Sequence, residues 1–347
     1  MLVRKLVDQM AGYVPGEQPQ DRRYIKLNTN ENPYPPSPRV IAALQAALTD
    51  DLRLYPDPVA NAVRDRAAAR YDVGRDNILV GNGSDELLAL IMKACVGPAD
   101  RVVYPYPTYS LYDTLVAIED GEVVHVPFPA DFSLPSGLVE AAGKVTIICH
   151  PNSPSGTAVA IDQIRDLARR LPGLLIVDEA YVDFADATAL PLVREFDNVV
   201  VLRTFSKSFS LAGMRIGLGF AQPQLIAQLM KVKDSYNVTR LSIAAAAAAL
   251  EDYAWMQSNV AKIRASRDFL IKALRAHRFE VLPSQTNFIL ARRPGKRLEG
   301  VYLALKKHGI LVRYFETPEL FDALRITVGT DDECRALVEA LGQIELP

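Results

Sequence analysis

Between about Asn77 and Phe220, short apolar runs alternate with stretches of helical periodicity, the pattern of a parallel sheet covered on both faces by helices. The runs predict strands at Ile78–Val80, Arg101–Tyr104, Glu122–Val126, Val145–Cys149, Leu174–Val177, Val199–Leu202 and Ile216–Phe220. Leu174-Leu175-Ile176-Val177 is apolar at every position, as a strand buried on both faces must be. Beyond Pro223 the period becomes helical: Leu225–Val232, an alanine-rich run from Ile243 to Leu250, then an amphipathic stretch from Tyr253 to His277. Short strands at Asn287–Ala291, Ile310–Arg313 and Leu324–Val328 and a closing helix from Asp331 to about Ile344 follow. The expected organisation is a large α/β domain over residues 30–240, with residues 1–29 and 241–347 forming a smaller α+β domain.

The segment Asn30–Pro38 carries four prolines, which lack the N–H that a helix interior or a central strand would use, so it reads as an extended loop. On sequence alone it is a connector sooner than the lining of a site. Ser37 followed by Pro38 reads as an N-cap with proline in the first helical position, opening a helix to about Leu48.

Composition narrows the functional classes. Lys plus Arg (39) nearly balances Asp plus Glu (41), and no basic stripe follows a phosphate backbone, so nucleic acid is not an expected partner. Charges interrupt Met1–Asp8 where an export signal needs an apolar core, and the alanine-rich run is far shorter than the ~20 residues of a membrane crossing. Cys95, Cys149 and Cys334 are widely spaced and the four histidines never take zinc-helix spacing. A reducing cytoplasm, no membrane and no metal site are therefore expected.

Ligands of open α/β sheets sit beyond the carboxyl ends of the strands. There the sequence has Gly81-Asn82-Gly83-Ser84-Asp85-Glu86 leading into an apolar helix, a turn able to cradle phosphate on free N–H groups or simply to cap the helix. It has His150-Pro151-Asn152 after Val145–Cys149, and Asp178-Glu179-Ala180-Tyr181 after Leu174–Val177, where a buried acid needs a cation or a hydrogen-bond donor. It also has Thr204-Phe205-Ser206-Lys207-Ser208-Phe209, with Arg215 eight residues beyond the lysine. Between two core strands and beside aromatic rings, a lysine can be desolvated and made nucleophilic. These are the parts that pyridoxal phosphate requires: a lysine for its aldehyde (Lys207), a carboxylate for its ring nitrogen (Asp178), and a phosphate cup (Gly83, Ser84, Asp85, Ser206, Arg215). Tyr109 can stack on the ring, and Asn152 and Tyr181 can reach its hydroxyl.

With Leu27-Asn28-Thr29-Asn30-Glu31-Asn32-Pro33, Tyr55-Pro56, Pro107-Thr108-Tyr109, Pro151–Gly156, Leu211–Arg215, Thr286-Asn287-Phe288 and Leu324–Gly329 in the same order, the chain resembles the fold-type I, class II aminotransferases, and within them the histidinol-phosphate aminotransferases. The resemblance covers nearly the whole sequence. Ser153 and Ser155 stand where the family commonly has Asn and Thr, while Asn152 is retained. The resemblance implies that Lys207 bonds the cofactor covalently, that Asp178 pairs with its ring nitrogen, and that Tyr181 and Asn152 bind its hydroxyl. It implies further that Ser84, Asp85, Ser206 and Arg215 hold its phosphate and that Tyr55 reaches in from a partner subunit, so that a homodimer shares its active sites. Tyr13, Asn32, Arg313 and Arg325 would bind the substrate, the arginines taking its acidic end through a planar fork. The substrates implied are an amino donor, histidinol phosphate, and a 2-oxo acid, 2-oxoglutarate.

Alternatives within the fold are an aromatic amino-acid aminotransferase and a threonine-phosphate decarboxylase, because arginine receives carboxylate and phosphate alike. A non-catalytic, ligand-sensing module is disfavoured by the presence of both Lys207 and Asp178.

Overall fold

The computed structural model describes residues 2–10 and 12–347; residues 1 and 11, part of the 1–29 stretch assigned above to the smaller domain, lie outside the described residues. In chain order the strands are β1 (Ile25–Leu27), β2 (Ile78–Gly81), β3 (Arg101–Tyr106), β4 (Glu122–Pro127), β5 (Val145–Cys149), β6 (Leu174–Asp178), β7 (Val199–Thr204), β8 (Gly217–Phe220), β9 (Glu280–Val281), β10 (Phe288–Arg292), β11 (Ile310–Tyr314) and β12 (Ala323–Thr327).

They form a seven-stranded sheet ordered β2-β8-β7-β6-β5-β3-β4 and a five-stranded sheet ordered β1-β11-β12-β10-β9. In the large sheet β3, β4, β5, β6 and β7 pair in parallel, and β8 runs antiparallel to both β2 and β7. The sheet is thus mostly parallel. Strands β5 and β7 are buried at every residue and β6 at all but its first, which is why their sequences are almost continuously apolar. Edge strand β4 has no fully buried residue and carries Glu122 and His125. Large apolar clusters fill both faces of the sheet.

In the small sheet β1 lies parallel to β11, and the other pairs are antiparallel. Strands β1 and β9 are not expected from the sequence: they span three and two residues, too few for a period to register. The helix Pro38–Ala47 opens on Ser37, whose side chain accepts from Arg39 N–H, with Pro38 in the first turn. The alanine-rich run is the helix Arg240–Glu251, capped by Thr239 and packed on the helices Pro38–Ala47 and Asn61–Tyr71. Small side chains let these helices approach closely. Among the described residues no helix is long and apolar enough to cross a membrane.

Candidate active site

Because β5, β6 and β7 are parallel neighbours, their carboxyl ends open at one edge and bring together His150–Pro154, Asp178–Tyr181 and Ser206–Lys207. A cavity of about 270 Å³ opens there, lined by Lys207, Asp178 and Tyr181 at its centre, by Ser84, Asp85, Ser206, Arg215 and Tyr109 on one side, and by Tyr13, Arg313 and Arg325 on the other.

Asp178 is almost fully buried at the end of β6. Its Oδ2 accepts from the Tyr112 hydroxyl at 2.7 Å and its Oδ1 from the Ala180 N–H at 3.2 Å. Burial pushes its pKa up to about 6, against the pull of those two hydrogen bonds. The donor that the sequence reading asked for is therefore in part Tyr112, from the helix Leu111–Ile118, which that reading missed. Nothing in the local sequence marks this tyrosine, since its contact with Asp178 spans 66 residues. Glu179, one residue on, points elsewhere and pairs with the buried Arg203 at 3.1 Å.

Lys207 extends its amine toward the Thr29 carbonyl at 3.3 Å, 5.7 Å from the centre of the Tyr181 ring. Burial first, and then the nearby Arg325 charge, bring its pKa down to about 8. The loop that carries it is held by Asn32, whose Nδ2 donates to the carbonyls of Lys207 (3.1 Å) and Ser208 (3.0 Å). Asn32 does not line the cavity: it supports the lysine loop, where the sequence reading had it binding substrate. The Tyr181 hydroxyl accepts from Asn30 Nδ2 at 3.0 Å, and burial raises its pKa to about 12. Asn30 is anchored in turn by Thr327 of β12 and by Asn287. The Asn30–Pro38 segment, expected as a connector, therefore contributes Asn30 and Glu31 to the cavity wall.

At the cup end the helix Gly83–Cys95 begins beneath the cavity. Gly83 has φ +82°, a backbone conformation that favours glycine, and a Cβ there would stand 2.6 Å from an Arg215 Nη atom, so a side chain would be strained and would displace the guanidinium. A Cβ on Gly217 would meet the Ser84 nitrogen at 2.5 Å, which lets β8 press against the turn. Arg215 pairs with Asp85 at 3.1 Å and reaches Ser206 Oγ at 3.4 Å, and the Tyr109 hydroxyl donates to Asp85 at 3.3 Å. A carboxylate and a phosphate both accept hydrogen bonds, so what Asp85 can offer a phosphate is its backbone N–H.

Asn152 is buried but does not line the cavity; its Oδ1 accepts from Thr108 at 2.8 Å and its Nδ2 donates to Ser155 Oγ at 2.9 Å. Tyr55 lies on the surface, 77% exposed and stacked on Tyr236 at 4.4 Å, outside this chain's own cavity.

At the other end Arg313 of β11 and Arg325 of β12 are directly opposite in register. Arg313 donates to the carbonyls of Pro15 and Val14, and Arg325 to Asn28 O at 3.0 Å and Ser153 Oγ at 3.3 Å. Among the described residues neither has a carboxylate partner, and the buried Arg325 Nε has no partner at all. Tyr13 stands edge-on to Tyr109 at 5.8 Å. Among the described residues no group of three or more His, Cys, Asp or Glu is arranged to hold a metal.

The family model for aminotransferase class I and II matches residues 22–341. The chain belongs to the class I and II aminotransferases. This aminotransferase is 48% identical over 340 residues to histidinol-phosphate aminotransferase 1 of Trichormus variabilis, with 97% of each chain covered. It is 45% identical to the histidinol-phosphate aminotransferase of Citrifermentans bemidjiense, covering 99% of this chain and 98% of that one. Among solved structures it is similar to the histidinol-phosphate aminotransferase of Sinorhizobium meliloti, determined in complex with pyridoxal-5'-phosphate: TM-score 0.91, 28% identity, 99% of this chain and 97% of that one covered.

Proposed function

We propose that this aminotransferase carries pyridoxal phosphate and exchanges the amino group between histidinol phosphate with 2-oxoglutarate and imidazole-acetol phosphate with glutamate. The observation that carries the donor assignment is the near full-length similarity to enzymes of that name. A pair of arginines without carboxylate partners, suited to a phosphate, supports it.

The donor set fits the cofactor. Lys207 would hold its aldehyde carbon, and the Gly83 turn, Ser206 and Arg215 its phosphate. Asp178, a buried acid with no cation beside it, would gain one from a protonated ring nitrogen, and Tyr181 would serve the ring hydroxyl. When bound, pyridoxal phosphate supplies an electron sink that stabilises negative charge at the amine-bearing carbon.

The protein's own residues do the rest. Lys207, held near pKa 8 by burial, is partly neutral at physiological pH and removes the proton from the donor's amine-bearing carbon. In the second half of the exchange it supplies the proton to the acceptor. Asp178 keeps a proton on the ring nitrogen, and Tyr112 fixes the carboxylate that does so. Arg325 and Arg313 orient the donor by its phosphate, fixing which hydrogen faces Lys207.

Purified, cofactor-loaded protein should lose its yellow colour faster with histidinol phosphate than with phenylalanine, and Lys207→Ala should abolish turnover. Faster turnover of phenylalanine would move the assignment to an aromatic aminotransferase.

We also propose that the enzyme is a homodimer whose Tyr55 completes the neighbouring site. The exposure of this ring outside its own cavity supports that reading. Analytical ultracentrifugation at assay concentration should find a dimer, and a fully active monomer would refute it.

A further inference from the structure

Three carboxylates line the cavity, and they differ in which groups hold them. Asp85 is taken by Arg215 and Tyr109 and Asp178 by Tyr112 and the Ala180 N–H. Glu31 is held only by neighbours in sequence: Lys26 Nζ at 3.0 Å from Oε1 and 2.8 Å from Oε2, and Thr29 Oγ1 at 2.8 Å from Oε2. Its side chain remains 42% exposed. An ionised carboxylate offers about four lone-pair sites, and with Lys26, which lies outside the cavity lining, and Thr29 using three, about one remains for a ligand. Its charge reaches the reaction centre, where it opposes the depression of the Lys207 pKa.

Histidinol phosphate has three polar ends. Its phosphate suits Arg313 and Arg325, and its amine must lie at Lys207. The remaining end is an imidazole with a pKa near ~6.5, whose ring nitrogens both donate when charged. A phenyl ring in the same place offers no donor. We propose that Glu31 is a specificity-determining residue that accepts a hydrogen bond from the imidazole N–H of the amino donor and so favours it over a phenyl side chain. This deepens the proposed function and rests on histidinol phosphate being the donor.

The test is steady-state kinetics of the holoenzyme with histidinol phosphate and with phenylalanine, from about pH 5.5 to 8.5, for wild type, Glu31→Gln and Lys26→Ala. In Glu31→Gln the ratio of kcat/KM for histidinol phosphate to that for phenylalanine should fall roughly tenfold or more, mostly through KM, as expected for loss of a charge-assisted hydrogen bond. In wild type KM for histidinol phosphate should rise as the imidazole loses its proton through ~6.5, and the variant should lack that part of the rise. The donor's phosphate titrates near ~6 in both proteins, and phenylalanine, which meets the same Lys207 but has no imidazole, is the reference against which the change in each profile is read. Lys26→Ala removes the partner outside the cavity and should keep the ratio near wild type. An unchanged ratio in folded Glu31→Gln would overturn the proposal, as would an equal loss in Lys26→Ala, which would make the pair a strut for the loop. Wild type that turns over phenylalanine but not histidinol phosphate would instead remove the functional reading, and the proposal with it.

Discussion

Arg215 and Arg325 are both cavity arginines, at opposite ends, and their surroundings differ. Arg215 has a carboxylate at 3.1 Å, whereas Arg325 has none and lies opposite a second arginine in the sheet. Like charges facing each other across a strand pair cost stability, and burial depresses the Arg325 pKa without a neighbouring acid to offset it. The difference matches the residence of the ligands each end would hold. A cofactor fixed through Lys207 stays from turnover to turnover, so its phosphate site can share Arg215 with Asp85 and remain ordered without it. A substrate phosphate arrives and leaves in each cycle, and an arginine already paired would have to give up that partner every time. The substrate end therefore keeps its charge uncompensated, at a cost to the free protein.

Replacing Arg325 gives the sharpest break in this comparison. Arg325→Met should lower kcat/KM for histidinol phosphate by roughly 10²–10³-fold, the loss of two charge-assisted hydrogen bonds. In thermal melts of the cofactor-free protein the same variant should hold or raise Tm, because it removes an uncompensated charge. Arg215→Met should do the reverse to stability, since it strands Asp85 beside the cavity. If Arg325→Met destabilised the free protein as much as Arg215→Met, the contrast between the two ends would be lost.

What the sequence carried and what it lacked follows the same physical line. Strands β5, β6 and β7 were legible because burial on both faces forces unbroken apolar runs, and the ends of those runs indicated Asp178, Lys207 and the Gly83 turn. Residues that act through contacts distant in sequence were not legible. Tyr112 meets Asp178 across the layer between a helix and the sheet, and Asn30 reaches Tyr181 across 151 residues. Asn32 shared a motif with residues that line the cavity, yet its amide turns to the backbone of the lysine loop. Short strands β1 and β9 exist because a neighbouring strand offers them hydrogen bonds, not because their own residues demand it.

Asp178 extends the comparison to an acid, with a smaller effect. In the free protein its pKa of about 6 lies above the unfolded value of 3.8, so the folded state binds its proton more tightly. The stability this provides is complete below about pH 4 and is lost as pH rises through about 6, up to roughly 3 kcal/mol in all. Asp178→Asn has no proton to lose there. The Tm of the cofactor-free variant should therefore gain on wild type as pH is raised from about 4 to 6.5 and then level off. Loading with pyridoxal phosphate should reverse the order near neutral pH, because a protonated ring nitrogen gives the wild-type carboxylate its cation while asparagine gains no ion pair. If the two melting profiles ran parallel without cofactor, Asp178 would already be compensated by Tyr112 and Ala180, and both ends of the cavity would be balanced in the same way.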